Sequence, residues 1–328
     1  FPTRRSSDLE IRPSENVNPD NATFVAPIMF ELNGLGELQR EVFGPVLHVV
    51  RYPADGLDKL IDQINGKGYA LTHGVHSRID GTVEHIRSRI ESGNVYVNRN
   101  IVGAVVGVQP FGGHGLSGTG PKAGGSFYLQ RLSRLKEWTA PTLSKIGQVD
   151  EAALKRLETL LHGLPLPQSE KMAAAASLGQ SRVRTLRKAE SVLSGPTGER
   201  NVLSWHAPAR VWLYGGSLAA SFTALVSLAS AGVQAVVLPD HPLAAYADRL
   251  DGLLAVTDKP EAAGISHVAA LEPLPSARKQ VLANRDGALV RILPSENGLD
   301  ILQVFEEISC SINTTAAGGN ASLMAMAD

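Results

Sequence analysis

Gln109-Pro-Phe-Gly-Gly-His-Gly-Leu-Ser-Gly-Thr-Gly120 places five glycines around a single phenylalanine. A glycine in a regular element costs up to about 1 kcal/mol relative to alanine, so such a density does not serve packing. The stretch reads as a loop shaped for backbone conformation and close approach to a ligand. Two shorter motifs lie upstream of it, Glu41-Val-Phe-Gly-Pro45 and Asn98-Arg-Asn100.

Outward from the loop, the pattern alternates between strand and helix. Residues 23–32 mix β-branched and apolar side chains around Pro27, and 47–52 alternate, so both are expected as strands. Residues 58–65 put Leu60, Ile61 and Ile64 on one helical face before Gly66, and a second helix is expected from Asp80 to a stop at Gly93 on Val83, Ile86 and Ile90. Short strands are expected at 74–77 and 94–98. This rhythm argues for an α/β fold.

Beyond Pro141 the composition turns to Ala, Leu and Lys. Leu154, Leu157, Leu160 and Leu161 form an amphipathic stripe, 172–193 reads as a longer helical region, and 194–201, with Gly195, Pro196 and Gly198, reads as a linker. From Ala209 the rhythm restarts: strands at 211–214, 235–238, 267–271 and 288–293 alternate with helices at 218–231, 243–253 and 276–284. That pattern predicts a small parallel, doubly wound, Rossmann-like unit. A strand at 308–312 precedes a polar tail of small residues, which suggests docking by strand addition.

A length of 328 residues accommodates two ordinary domains, and a hydrophobic content of 43% supports a real core. The formal net charge of -1 argues against a nucleic-acid surface. No apolar run approaches the ~18 residues that span a bilayer, and no signal peptide opens the chain. One cysteine cannot make an internal disulfide, which fits a reducing cytoplasm. Residues 1–9 have no periodicity and read as an artefact of assembly or expression.

The motifs together resemble the C-terminal part of the NAD-dependent aldehyde dehydrogenase fold. Gly103-Ala-Val-Val-Gly-Val-Gln-Pro-Phe-Gly-Gly113 and Gly118-Thr-Gly-Pro-Lys-Ala-Gly-Gly125 are similar to its L-glutamate-γ-semialdehyde (Δ1-pyrroline-5-carboxylate) dehydrogenase branch. Gly195-Pro-Thr-Gly-Glu-Arg-Asn201 and Ile312-Asn-Thr-Thr-Ala-Ala-Gly-Gly-Asn-Ala-Ser-Leu-Met324 resemble the long form of the bifunctional proline utilization A family. The resemblance runs from about residue 22 to the end. It implies an unmatched leader at 1–9, the C-terminal part of a catalytic domain at 10–140, a helical connector at 141–200, a Rossmann-like lid at 201–303, and a closing strand and tail at 304–328.

The resemblance also implies roles. Glu41 would accept hydrogen bonds from both hydroxyls of the nicotinamide ribose, with Phe43 beside the ring. Gly103 and Ala104 would hold the substrate carboxylate on their backbone N–H groups, with Phe111 against the aliphatic stem of the semialdehyde. NAD is the expected cofactor, and FAD belongs to a proline dehydrogenase half outside this chain. The family's nucleophilic cysteine precedes the Glu41 motif, whereas Cys310 follows it and reads as a buried structural residue. The expectation is therefore a fragment, inactive by itself, of a longer cytoplasmic chain, with room for a homodimer and for a parent peripheral at the inner membrane. His48, His73, His76, His85 and His114 show no metal-ligand spacing, so no metal is expected. Tyr214-Gly-Gly-Ser-Leu-Ala-Ala220 lacks the full dinucleotide fingerprint and leaves both a structural lid and a nucleotide site open. Two other readings of the whole also stay open: another ω-acid aldehyde dehydrogenase, and a non-catalytic lid or interaction module.

Overall fold

The computed structural model describes residues 27–118, 120–133, 138–181 and 185–315. The leader at 1–9, the start of the first expected strand and the tail beyond 315 lie outside these residues.

Strands β1 (Ile28–Leu32) and β2 (Val46–Val50) pair in parallel as a two-stranded unit. The Glu41 motif leads directly into β2. Helix α1 (Leu57–Asn65) buries Ile61 and ends at Gly66, whose N–H returns to the Asp62 carbonyl. Strands β3 (Tyr69–Ala70) and β4 (Thr72–Val75), helix α2 (Asp80–Arg89) and strand β5 (Asn94–Val97) follow. Strand β6 (His114–Gly115), inside the glycine-rich stretch, pairs with β3, and the short helix α3 (Tyr128–Leu132) closes this part of the chain.

Helices α4 (Glu151–His162) and α5 (Gln168–Ser181) come next, α4 capped by the Asp150 side chain, which accepts from the Ala153 N–H. The expected helical region at 172–193 stops at Ser181, and residues Glu190–Leu193 form strand β7. The expected linker at 194–201 is likewise the turn of a hairpin into β8 (Glu199–His206). The cause is cross-strand pairing: Val192 sits opposite Val202, and Gly198 supplies the left-handed turn residue at φ +85.

Strands β9 (Arg210–Tyr214), β10 (Gln234–Val237), β11 (Leu254–Val256), β12 (His267–Ala270) and β13 (Arg291–Pro294) make a parallel sheet in the order β11-β10-β9-β12-β13. Helices α6 (Leu218–Ser230) and α7 (Ser276–Asn284) are its crossovers. The doubly wound expectation holds, with two local corrections, an added fifth strand, β11, and a shortened helix before it. The helix expected at 243–253 is a 3-10 run, Ala244–Arg249, and Gly252 at φ +78 then turns the chain into β11.

The last strand, β14 (Glu306–Asn313), leaves this unit and inserts between β5 and β8, giving a mixed sheet in the order β4-β5-β14-β8-β7. It runs parallel to β5 and antiparallel to β8. Its alternating sequence explains the central position. Ile308 and Cys310 pack with Ile61, Ile90, Val95 and Val97, while Glu307 and Ser311 make polar contacts to the glycine-rich segment and β8. The main core is continuous across both halves: Phe127, Trp138 and Trp205 cluster with α4, α6 and the parallel strands.

Candidate functional site

The chain leaves β5 at Asn98, which adopts a left-handed φ of 54. Its side chain bridges to the segment that follows β4: Oδ1 accepts from the Ser77 N–H at 3.0 Å and Nδ2 donates to the Ser77 carbonyl at 3.0 Å. An asparagine pays little for this conformation because its short polar side chain bonds locally. The loop that follows is closed by Gln109, whose Oε1 accepts from the Val105 N–H at 3.0 Å. Gln109 is buried, with Nε2 2.8 Å from Glu199 Oε1 and 3.1 Å from Ser311 Oγ. Arg99 pairs with Glu199, donates to Ser311 Oγ at 2.7 Å and lies over the Tyr96 ring at 5.3 Å.

Most glycines of the stretch serve the loop itself. A Cβ on Gly113 or Gly118 would collide with the backbone of the facing residue, Ser117 or Gly113. Ser117 Oγ accepts from the Ala70 N–H at 3.0 Å and so ties the turn to β3. Gly93 is required for a different reason, since a Cβ there would strike the Gly112 carbonyl oxygen. Phe111 and Ala123 form an isolated antiparallel bridge, with N–H to carbonyl distances of 3.0 and 2.9 Å.

Lys122 donates from Nζ to the Gly112 carbonyl and is buried; burial pushes its ammonium down to about 7, against the pull of Glu307 and Glu306. Burial conversely raises Glu307, while N–H groups of Lys122, Phe127 and Ser126 favour its charged form. Sequence reading missed this polar set of Arg99, Gln109, Lys122, Glu199, Glu307 and Ser311. Glu199 sat in a supposed linker, and only the polar alternation of Glu307, Ser309 and Ser311 along a strand signalled a second buried face.

The expected site residues fall on two separate units. Glu41 and Phe43 are exposed on the segment before β2, with Phe43 86% exposed beside Gly44 at φ +108. Gly103 is exposed, and Ala104 and Phe111 are half-buried, on the loop after β5. No hydrogen bond among the described residues joins the two groups. Gly103 has no left-handed φ, and a Cβ there would meet nothing within 4 Å. The chain's own packing therefore does not explain that glycine. Cavities of about 550 Å³, lined by residues including Glu261 and Arg285, and about 360 Å³, lined by residues including Arg131 and Gln303, lie elsewhere.

Cys310 is buried in the apolar cluster of β14, and burial pushes its thiol up, opposed by Arg87. A thiol so placed is neither accessible nor a ready thiolate. In the parallel unit, the Gly215-Gly216 turn faces Glu272. The Gly216 N–H donates to Glu272 Oε1 at 3.1 Å, and a Cβ on Gly215 would lie 2.9 Å from the Glu272 Cβ. Among the described residues no helix is long and apolar enough to cross a membrane, and no three His, Cys, Asp or Glu side chains are grouped to hold a metal.

Comparison with known proteins gives a family model and relatives. Residues 9–138 match the aldehyde dehydrogenase family. The chain is 41% identical over 321 residues to the bifunctional protein PutA of Rhizobium meliloti, covering 93% of this chain and 25% of that relative. It is 44% identical over 92 residues to the 1-pyrroline-5-carboxylate dehydrogenase of Geobacillus sp. (strain WCH70), covering 28% of this chain and 18% of the relative. Among solved structures, proline utilization A from Corynebacterium freiburgense aligns with a TM-score of 0.66 at 22% identity, over 95% of this chain and 30% of that chain, a likeness of fold. The chain thus spans about a quarter of the length of the PutA relative.

Proposed function

We propose, for a chain whose residues 9–138 belong to the aldehyde dehydrogenase family, that it supplies the nicotinamide-ribose and substrate-carboxylate side of an NAD-dependent L-glutamate-γ-semialdehyde dehydrogenase in proline catabolism. The observation that carries this reading is the outward display of both motifs. Phe43, Val102 and Val106 are 86%, 90% and 97% exposed around Glu41 and Gly103. Apolar side chains held this far into water fit a cleft whose other wall is another surface.

The residues present fit the cofactor. The Glu41 carboxylate can accept from two ribose hydroxyls at once, each charge-assisted bond contributing about 1.5–3 kcal/mol. Phe43 offers its ring to the nicotinamide. Held there, NAD would supply the acceptor for the hydride of the aldehyde carbon. The Gly103 and Ala104 N–H groups hold the remote carboxylate, and the absence of a Cβ at Gly103 lets that anion approach the backbone closely. Phe111 excludes water from the aliphatic stem.

Aldehyde oxidation on this fold also needs a thiolate to attack the carbonyl. The single cysteine of this sequence, Cys310, is buried with a raised pKa. The attacking sulfur is therefore supplied by polypeptide outside these residues, and NADH should not form when the purified chain meets semialdehyde and NAD alone. Steady NADH formation under those conditions would reject the reading. The parallel unit is read as a lid without nucleotide, because the Glu272 carboxylate lies on the Gly216 N–H where a phosphate would need to sit.

A further inference from the structure

We propose that Glu307, on the last described strand, is a positioning residue for Phe111, acting through the backbone segment 122–125; the functional half of this inference rests on the role given to Phe111 above. Glu307 lies 2% exposed and Lys122 1% exposed, yet the carboxylate reaches across from β14 into the glycine-rich segment. Its Oε2 accepts from the Lys122 N–H at 3.0 Å and its Oε1 from the Phe127 N–H at 3.3 Å. A Cβ on Gly125 would collide with the same carboxylate, so that glycine leaves the space the carboxylate fills. Backbone amides converging on a carboxylate in a glycine-rich turn form an anion cradle, and here the anion belongs to the chain itself.

The cradle leads straight to the site. Lys122 precedes Ala123, whose N–H and carbonyl both bond to Phe111. The Lys122 ammonium also holds the carbonyl of Gly112, the next residue after Phe111. Phe111 is thus fixed from both sides by a segment whose own anchor is Glu307. A second contact, His114 Nε2 to the Glu307 carbonyl at 3.0 Å, ties β6 to the same strand through its backbone. That contact survives a change of the Glu307 side chain, so the carboxylate's part can be isolated.

Backbone hydrogen exchange on the whole chain tests this, read at Phe111, Ala123 and Ser309. The Ser309 N–H donates to the Gly93 carbonyl at 3.0 Å and reports the sheet itself. In Glu307→Gln we expect Phe111 and Ala123 to exchange about tenfold faster or more, with Ser309 within about twofold of the parent. Gly125→Ala disturbs the cradle from the other side, pressing on the Glu307 carboxylate without altering the sequence of β14, and should give the same pattern. In Glu307→Ala, added formate should slow Phe111 again, whereas chloride at equal ionic strength should not. The proposal is overturned if Phe111 and Ala123 keep the parent rates, if Ser309 accelerates as much as they do, or if formate and chloride act alike. These rates do not depend on the dehydrogenase reading. Coupling without an effect of Phe111 substitution on semialdehyde KM in a complete enzyme would reject that reading and leave the positioning intact.

Discussion

The parallel unit and the part of the chain before it handle apolar side chains in opposite ways. In β9, Val211, Trp212 and Leu213 are all buried, as are Phe222 and Leu225 of α6. Around the two motifs, Phe43, Ile101, Val102, Val105 and Val106 are exposed. The first region buries its apolar groups in a core shared with Phe127, Trp138 and α4, and the second leaves apolar groups in water. On the proposed reading, this contrast separates residues kept for stability from residues kept for a site.

Substitutions should divide along the same line. Leu225→Ala removes a fully buried side chain from the main core and should cost about 2–5 kcal/mol in chemical denaturation. Val106→Ser, at a site almost wholly in water, should stay within about 0.5 kcal/mol. Equal losses would erase the contrast.

Acid should act on the packed unit next. His267 is buried in β12, and burial, followed by the charges of Arg291 and Arg131, pushes it down to about 3. An unfolded histidine takes up its proton near pH 6.5, so this contribution is complete above that pH and is lost as pH falls toward 3. The loss should be on the order of a few kcal/mol, and His267→Asn should flatten the acid limb of a Tm-versus-pH curve. An unchanged limb would mean that the histidine is not held neutral.

Glycines supply a finer comparison. Gly93→Ala forces a Cβ onto the Gly112 carbonyl and should lower stability by about 1–3 kcal/mol through overpacking. Gly103→Ala meets open space and should leave Tm nearly unchanged. In a complete dehydrogenase the order should invert for substrate affinity, with Gly103→Ala raising the semialdehyde KM. The smallest effect expected concerns the lid: in a Glu41→Ala background, calorimetry should detect no micromolar NAD binding to the whole chain, and such binding would sink the lid reading. The whole chain is the right sample because β14 lies between β5 and β8.

Strands β9, β10, β12 and β13 of the parallel unit were legible because each is a short apolar run bounded by glycine or polar turns, and local pattern decides such elements, whereas the three-residue β11 was not. The hairpin of β7 and β8 was not, since Glu190–Leu193 follows an alanine-rich helix and owes its conformation to pairing with β8. For the candidate site, resemblance marked single residues, Glu41 and Gly103, and their roles are proposals. Its buried support was hidden for another reason: Glu307 meets Lys122 across 185 positions of sequence, and Gln109 meets Ser311 across 202. Spacing within a window carries no trace of such pairs. Cys310 was expected to be buried from its alternation with Ile308 and Ile312, and it lies in the apolar cluster of β14.

The central claim is that Glu41 and Gly103 belong to one oxidising cleft, one gripping the cofactor and the other the substrate. Its most direct test is steady-state turnover in a complete enzyme carrying this segment, comparing Glu41→Gln with the parent. The account predicts turnover lower by about tenfold or more, the scale of one lost charge-assisted bond. Unchanged turnover together with an unchanged Michaelis constant for NAD would contradict it.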